Sequence, residues 1–129
     1  MVYNGVTIKI KTLCKRKLSW EVIIMAENME VIIFEIISQG GTAKGLAYEA
    51  LAAAEEGDFD KAEELLKEAD VCLGEAHKIQ TDIIQAEARG EKTEVSVLFV
   101  HAQDHLMTAI EAKTLIEHII KLHKKIEGK

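Results

Sequence analysis

The sequence predicts an all-α protein, an antiparallel up-down-up bundle of three helices, on three observations. Apolar residues recur at steps of three and four along three long stretches, the spacing that puts them on one side of a helix. Short glycine-containing segments, Glu56-Gly57-Asp58 and Gly90-Glu91-Lys92-Thr93-Glu94, separate those stretches. Proline, which breaks helix interiors, is absent from all 129 residues. Short connections between helices of similar length make neighbours antiparallel.

In the first stretch, from about Asn28 to Ala54, the periodic positions are Ile33, Ile37, Gly40, Lys44, Ala47, Leu51 and Ala54. Gly40, Gly41 and Gly45 lie within it, where each costs up to about 1 kcal/mol relative to alanine. A kink or a close approach between helices accounts for them; the GxxxxGK[ST] pattern of a phosphate loop is absent. Gly57 reads as a helix stop and Asp58 as the cap of the next helix. That helix runs from about Phe59 to Arg89, with a stripe of Ala62, Leu65, Leu66, Ala69, Cys72, Leu73, Ala76, Ile79, Ile83 and Ala86. Gly90 ends it. The third helix runs from about Ser96 to Lys124, and Lys121, Lys124 and Lys125 suit the negative end of its dipole.

Composition narrows the function. With 48% hydrophobic and 29% charged residues, the chain can bury a core and reads as soluble. It has no uninterrupted apolar run of membrane-spanning length. Cys14 and Cys72 show neither metal nor redox spacing and read as reduced thiols of a cytosolic protein. Of the net charge of −6, residues 1–24 contribute +4 through Lys9, Lys11, Lys15, Arg16, Lys17 and Glu21, leaving −10 on the remainder. So acidic a body is a poor nucleic-acid binder.

Residues 1–24 differ from the rest. Val6-Thr7-Ile8-Lys9-Ile10-Lys11-Thr12 alternates with period two and predicts a short strand. The basic cluster follows the apolar part and no cleavage site is present, so this is not a secretory signal. Codons for Trp20-Glu21-Val22 can form a purine-rich run a short spacer before Met25. The expectation is that residues 1–24 are an N-terminal extension, a translated leader, and that residues 25–129 form the functional domain.

The third helix carries the chemistry. Val97, His101, Asp104, Thr108, Ala112, Leu115, Ile119, Leu122 and Ile126 form a continuous seam, aliphatic in its second half and polar in its first. Burying an unpaired charge is strongly unfavourable, so Asp104 is expected to need a cation, a donor or a proton. Leu98, Phe99, Val100, Leu106, Met107 and Ile110 occupy most of the remaining circumference, more than two sister helices can cover. Self-association near a symmetry axis is the simplest remedy. Convergent Asp104 carboxylates would then require a proton or a bridging cation, with Mg²⁺ the natural candidate for the latter. His101 and His105, four apart, share a side. Their spacing leaves open a zinc site (although Ala102 stands where the zincin motif has glutamate), a phosphohistidine, or two hydrogen-bonded core histidines. His77, His118 and His123 read as structural or solvated, and Glu63, Glu64, Lys67 and Glu68 as a solvated face.

Val100-His101-Ala102-Gln103-Asp104-His105-Leu106-Met107-Thr108 resembles the signature of the enzyme IIA component of the lactose/cellobiose (diacetylchitobiose) class of the sugar phosphotransferase system. Gly57-Asp58-Phe59 with Ala62 resembles that family's first interhelical turn, and Glu75-Ala76-His77 with Gln80-Thr81 its second-helix motif. The likeness spans about Asn28 to Lys125. It implies a cytoplasmic three-helix protomer assembling as a homotrimer. By that resemblance His101 is the histidine phosphorylated by the histidine-containing phosphocarrier protein, and its phosphoryl group passes to a cysteine of the cognate enzyme IIB during uptake of a β-linked disaccharide. It further implies that Gln103 and His105 support His101, and that Asp104 meets its symmetry mates around a structural metal ion, Mg²⁺. The residues by themselves also admit a non-enzymatic helical oligomer with a buried polar layer, or a metal-binding bundle using His101, Asp104 and His105.

Overall fold

A computed structural model describes the backbone of residues 2–128 and the side chains of residues 28–128. Three helices follow one another: α1 (Val2–Glu55), α2 (Phe59–Ala88) and α3 (Val97–Ile126). The chain divides into two compact units, residues 1–32 and residues 33–129. The backbone of the first unit is helical from Val2 onward. The strand predicted over residues 6–12 is therefore corrected to helix, and α1 begins well before Asn28. A strand needs a neighbour for its ladder of hydrogen bonds, whereas a helix satisfies its backbone within itself. No proline or positive-φ residue interrupts residues 2–28.

The second unit is the up-down-up bundle. Its turns form by local chemistry. Gly57 adopts φ 84°. It donates its N–H to Ala54 O at 3.0 Å, and Asp58 donates to Ala53 O at 2.9 Å. This paired closure, favoured by glycine's access to left-handed backbone, satisfies the last carbonyls of α1. The Asp58 carboxylate then accepts from Lys61 N at 3.1 Å and caps α2. Gly90, at φ 93°, ends α2 with the same pair of bonds. Ser96 Oγ caps α3 by accepting from Phe99 N at 3.1 Å.

Alanine dominates the core. Ala43, Ala47, Ala50, Ala54, Ala62, Ala69, Ala76, Ala102 and Ala109 are buried, while Ile36 and Leu106 are the large side chains most fully enclosed. Small residues let helices approach closely, toward the short end of the usual spacing of about 8–10 Å. Gly40 marks one such approach: a Cβ built there would lie 3.6 Å from the backbone of His105 and Leu106. At the other end, Ala47, Ala50, Phe59, Ala62, Leu66, Ile116 and Ile120 join all three helices in one cluster.

The buried stripe of α1 is Ile33, Ile36, Gly40, Ala43, Ala47, Ala50 and Ala54, rotated slightly from the predicted Ile37–Lys44–Leu51 positions. In α3 the departure is larger. The buried positions are Ala102, Leu106, Ala109, Ile116 and Ile120, whereas in the predicted seam Val97, His101, Asp104, Thr108, Leu115, Ile119, Leu122 and Ile126 are exposed and Ala112 is half-buried. Both stripes obey the helical period. The inner one wins because its alanines mesh with the alanines of α1 and α2. Asp104 therefore has no need of a partner within the protomer.

Candidate functional site

His101 lies in the second turn of α3, just inside the Ser96 cap, with its side chain exposed. One turn on, the half-buried His105 presents its ring to His101 in a T-shaped contact, centroids 4.4 Å apart and planes at 75°. That edge-to-face arrangement limits the rotamers of both rings. Asp104, between them in sequence, is exposed. Thr108 Oγ1 turns back onto the helix, donating to Asp104 O at 2.8 Å and to His105 O at 3.2 Å.

Gln103 faces the other way. Its Oε1 accepts a hydrogen bond from Gln80 Nε2 of α2, and the same Gln80 nitrogen lies 3.9 Å from Met107 Sδ. Gln80 is a buried polar side chain, 8% exposed. The steps Ala62, Leu66, Ala69, Leu73, Ala76, Gln80 place it on the inner stripe of α2, a continuation that the predicted Ile79 and Ile83 positions missed. The turn carrying His101 and His105 is thus held on one side by Gly40 of α1 and on another by Gln80 of α2.

Among the described residues no three His, Cys, Asp or Glu side chains converge as a metal site. Within one protomer, His101, Asp104 and His105 do not make the single metal centre considered from the sequence. Asp104 carries the hard oxygen donor that Mg²⁺ prefers.

The other histidines lie apart from this group. His77 and His118 are exposed. His123 sits 5.8 Å from the Phe59 ring and 3.2 Å from a Glu127 carboxylate oxygen. A groove of about 500 Å³ lined by His118, Lys121, Leu122, Lys124 and Lys125 lies at the far end of α3 from His101. Glu63, Glu64, Lys67 and Glu68 form the solvated face expected of them. Cys72 is a half-buried free thiol; Cys14 lies outside the described side chains.

An exposed imidazole, braced by a second ring on a rigid helix, suits exchange of a small group with another macromolecule. Residues 31–124 match the family model for the lactose/cellobiose-specific IIA subunit of the PTS system. The lichenan-specific phosphotransferase enzyme IIA component of Bacillus subtilis is 51% identical over 102 residues, which cover 79% of this chain and 93% of that one. The crystal structure of the cellobiose-specific enzyme IIA from Bacillus anthracis aligns with a TM-score of 0.73 at 50% identity, covering 76% and 90% of the two chains. The IIA(Chitobiose) chain from the IIA(Chitobiose)–HPr complex of Escherichia coli aligns with a TM-score of 0.67 at 41% identity, covering 76% and 95%. The chain belongs to the lactose/cellobiose IIA family and is a phosphocarrier component of a sugar phosphotransferase system. Among the described residues no helix is long and apolar enough to cross a membrane.

Proposed function

We propose that His101 is the phosphoryl acceptor and donor of this IIA component. In this reading the unprotonated ring nitrogen of His101 attacks the phosphorus of a phosphohistidine on the histidine-containing phosphocarrier protein, HPr. The new N–P bond forms as the donor's N–P bond breaks, and the donor imidazole leaves. A cysteine thiolate of the cognate enzyme IIB then attacks the same phosphorus and releases neutral His101, during uptake of a β-linked disaccharide. Such transfers depend on in-line positioning and charge stabilisation. The observation that carries the reading is the exposed His101 ring held by His105 on the second turn of α3. The HPr complex of the chitobiose relative supports the choice of donor. Gln103 and His105 support His101: His105 by fixing its ring, Gln103 through the contact that binds this turn to α2. The cytoplasm, where HPr and its phosphoryl donor operate, is the working compartment.

The protomers assemble as a homotrimer in this reading, with Asp104 and the aliphatic half of the outer stripe of α3 facing the threefold axis and His101 open to a groove between subunits. One Asp104 from each subunit meets there, and Mg²⁺ supplies charge neutralisation when bound. The role of Asp104 is structural, since its carboxylate belongs to the assembly and not to the phosphoryl group.

The test is incubation with phosphoenolpyruvate, enzyme I and HPr. Acid-labile phosphate on His101 of the wild type, absent from His101→Ala, is the expected result. Full labelling of His101→Ala refutes the assignment.

A further inference from the structure

We propose that Gln80 is a positioning residue for phosphoryl transfer, setting the rotation of α3 about its own axis so that His101 and His105 face outward. The inference deepens the phosphocarrier reading and rests on it. Gln103 and Met107 are four residues apart and share one side of α3; His101 and His105 are also four apart and share another. The two pairs are offset by two residues, about 200° of helical rotation. Holding Gln103 and Met107 against α2 therefore aims His101 and His105 away from it. Gln80 makes that hold from a buried position on α2, donating to Gln103 Oε1 and lying 3.9 Å from Met107 Sδ.

The surrounding core selects the inward stripe of α3 but sets its fine angle less sharply than a directional bond does. At this level α3 packs through Ala102 and Leu106, and α1 approaches it with Gly40, which has no side chain to interlock. A ring at the helix rim, about 5–6 Å from the axis, moves about 2 Å when the helix turns by about 20°. Misplacement by ~1 Å can cost about a hundredfold in rate where chemistry depends on alignment. A directional hydrogen bond across the α2–α3 interface resists that rotation more sharply than the small apolar contacts beside it.

The sequence pattern agrees. The inner stripe of α2 runs Ala62, Leu66, Ala69, Leu73, Ala76 and then Gln80. An aliphatic residue there would continue the stripe and avoid the desolvation of an amide. The amide stands at the level of the reactive turn.

The experiment compares the full-length wild type with Gln80→Met, Gln103→Met and the double variant in phosphoryl transfer from phosphorylated HPr. Gln80→Met preserves volume and removes the bond, so its melting temperature should stay near that of the wild type, while its maximal transfer rate falls about tenfold or more. The HPr concentration for half-maximal rate should change by less than about threefold, because docking is untouched. The double variant should lose no more than the worse single variant, since both break one connection. A wild-type rate in Gln80→Met, losses that multiply, or a change confined to the HPr dependence overturns the proposal. If Gln80→Met fails to fold, NMR on the wild type decides: contacts from a slowly exchanging Gln80 side-chain amide to Gln103 and Met107 support the proposal, and a freely exchanging amide without them overturns it. A wild type that takes no phosphate on His101 overturns the phosphocarrier reading as well, whereas a labelled wild type with an undiminished Gln80→Met overturns this inference alone.

Discussion

Lys113 shows how one side chain can join two helices. Its ammonium, on a side chain only 12% exposed, contacts Asp70 of α2 at 2.7 Å and Glu117 of α3 at 3.0 Å, and Glu117 in turn meets Lys121 at 2.7 Å. Burial alone would lower the Lys113 pKa, but hydrogen bonds to Asp70 and Glu117 more than offset it and leave the group raised. Glu117 is pulled down to about 2, first by its bond to Lys121 and then by Lys113, against a smaller opposing effect of burial. A carboxylate with a depressed folded-state pKa stabilises the fold above its ordinary value near 4.5 and loses that contribution as pH falls toward 2. Glu117→Gln is therefore expected to lower stability at neutral pH by about 1 kcal/mol after allowance for solvent screening. Its deficit should shrink between pH 4.5 and 2. Urea unfolding of both proteins across that range checks this; a deficit unchanged by pH would refute the ion-pair origin. The sequence placed Lys113 and Glu117 four apart but gave no sign of Asp70, because that contact depends on the relative rotation of α2 and α3.

At the scale of the element, helix ends were legible and helix rotation was not. Gly57, Asp58, Gly90 and Ser96 act through bonds within a few residues, so local composition announces them. The start of α1 carried no such signal, and alternation over residues 6–12 suggested a strand where the backbone is helical. For α3, two stripes share the same period; the alanine faces of its neighbours decide which turns inward, and the fine angle is what the Gln80–Gln103 bond is proposed to set. The candidate site was legible as a motif, since His101, Gln103, Asp104 and His105 all fall on one short stretch. Gly40 and Gln80 stood out in the sequence, one for a close approach and one within the second-helix motif, but their contacts with this turn did not, because they lie on other helices. Gly40 gives a prediction at this scale. An alanine Cβ would sit 3.6 Å from His105 O and Leu106, ordinary contact. Gly40→Ala should thus keep the packing and gain up to about 1 kcal/mol of helix propensity. Gly40→Leu has no room at that approach and should cost about 2 kcal/mol or more by separating α1 from α3. Thermal melts distinguish the two; equal effects would mean that the close approach does not constrain the bundle.

The whole molecule leaves its apolar surface unevenly distributed. An alanine core draws few large side chains inward, while Leu115, Leu122 and Ile126 of α3 remain 59%, 59% and 76% exposed. They form the aliphatic half of the outer stripe whose polar half holds Asp104. Exposed apolar rows of this kind mark surfaces that associate, and the proposed trimer would cover them. Leu122→Glu tests this cleanly: glutamate is a good helix former and is solvated in the free protomer, yet three copies on an axis would bury like charges. Sedimentation should give a mass near three times 14.3 kDa for the wild type and a folded monomer for Leu122→Glu. Asp104→Leu should remain trimeric, since it removes the like charges that the assembly must otherwise neutralise. If Mg²⁺ holds the wild-type carboxylates together, a chelator should lower the wild-type melting temperature, Mg²⁺ should restore it, and Asp104→Leu should respond to neither. A trimeric Leu122→Glu would move the interface to another face. A wild type indifferent to chelator would leave the outer stripe of α3 to act through apolar contact alone.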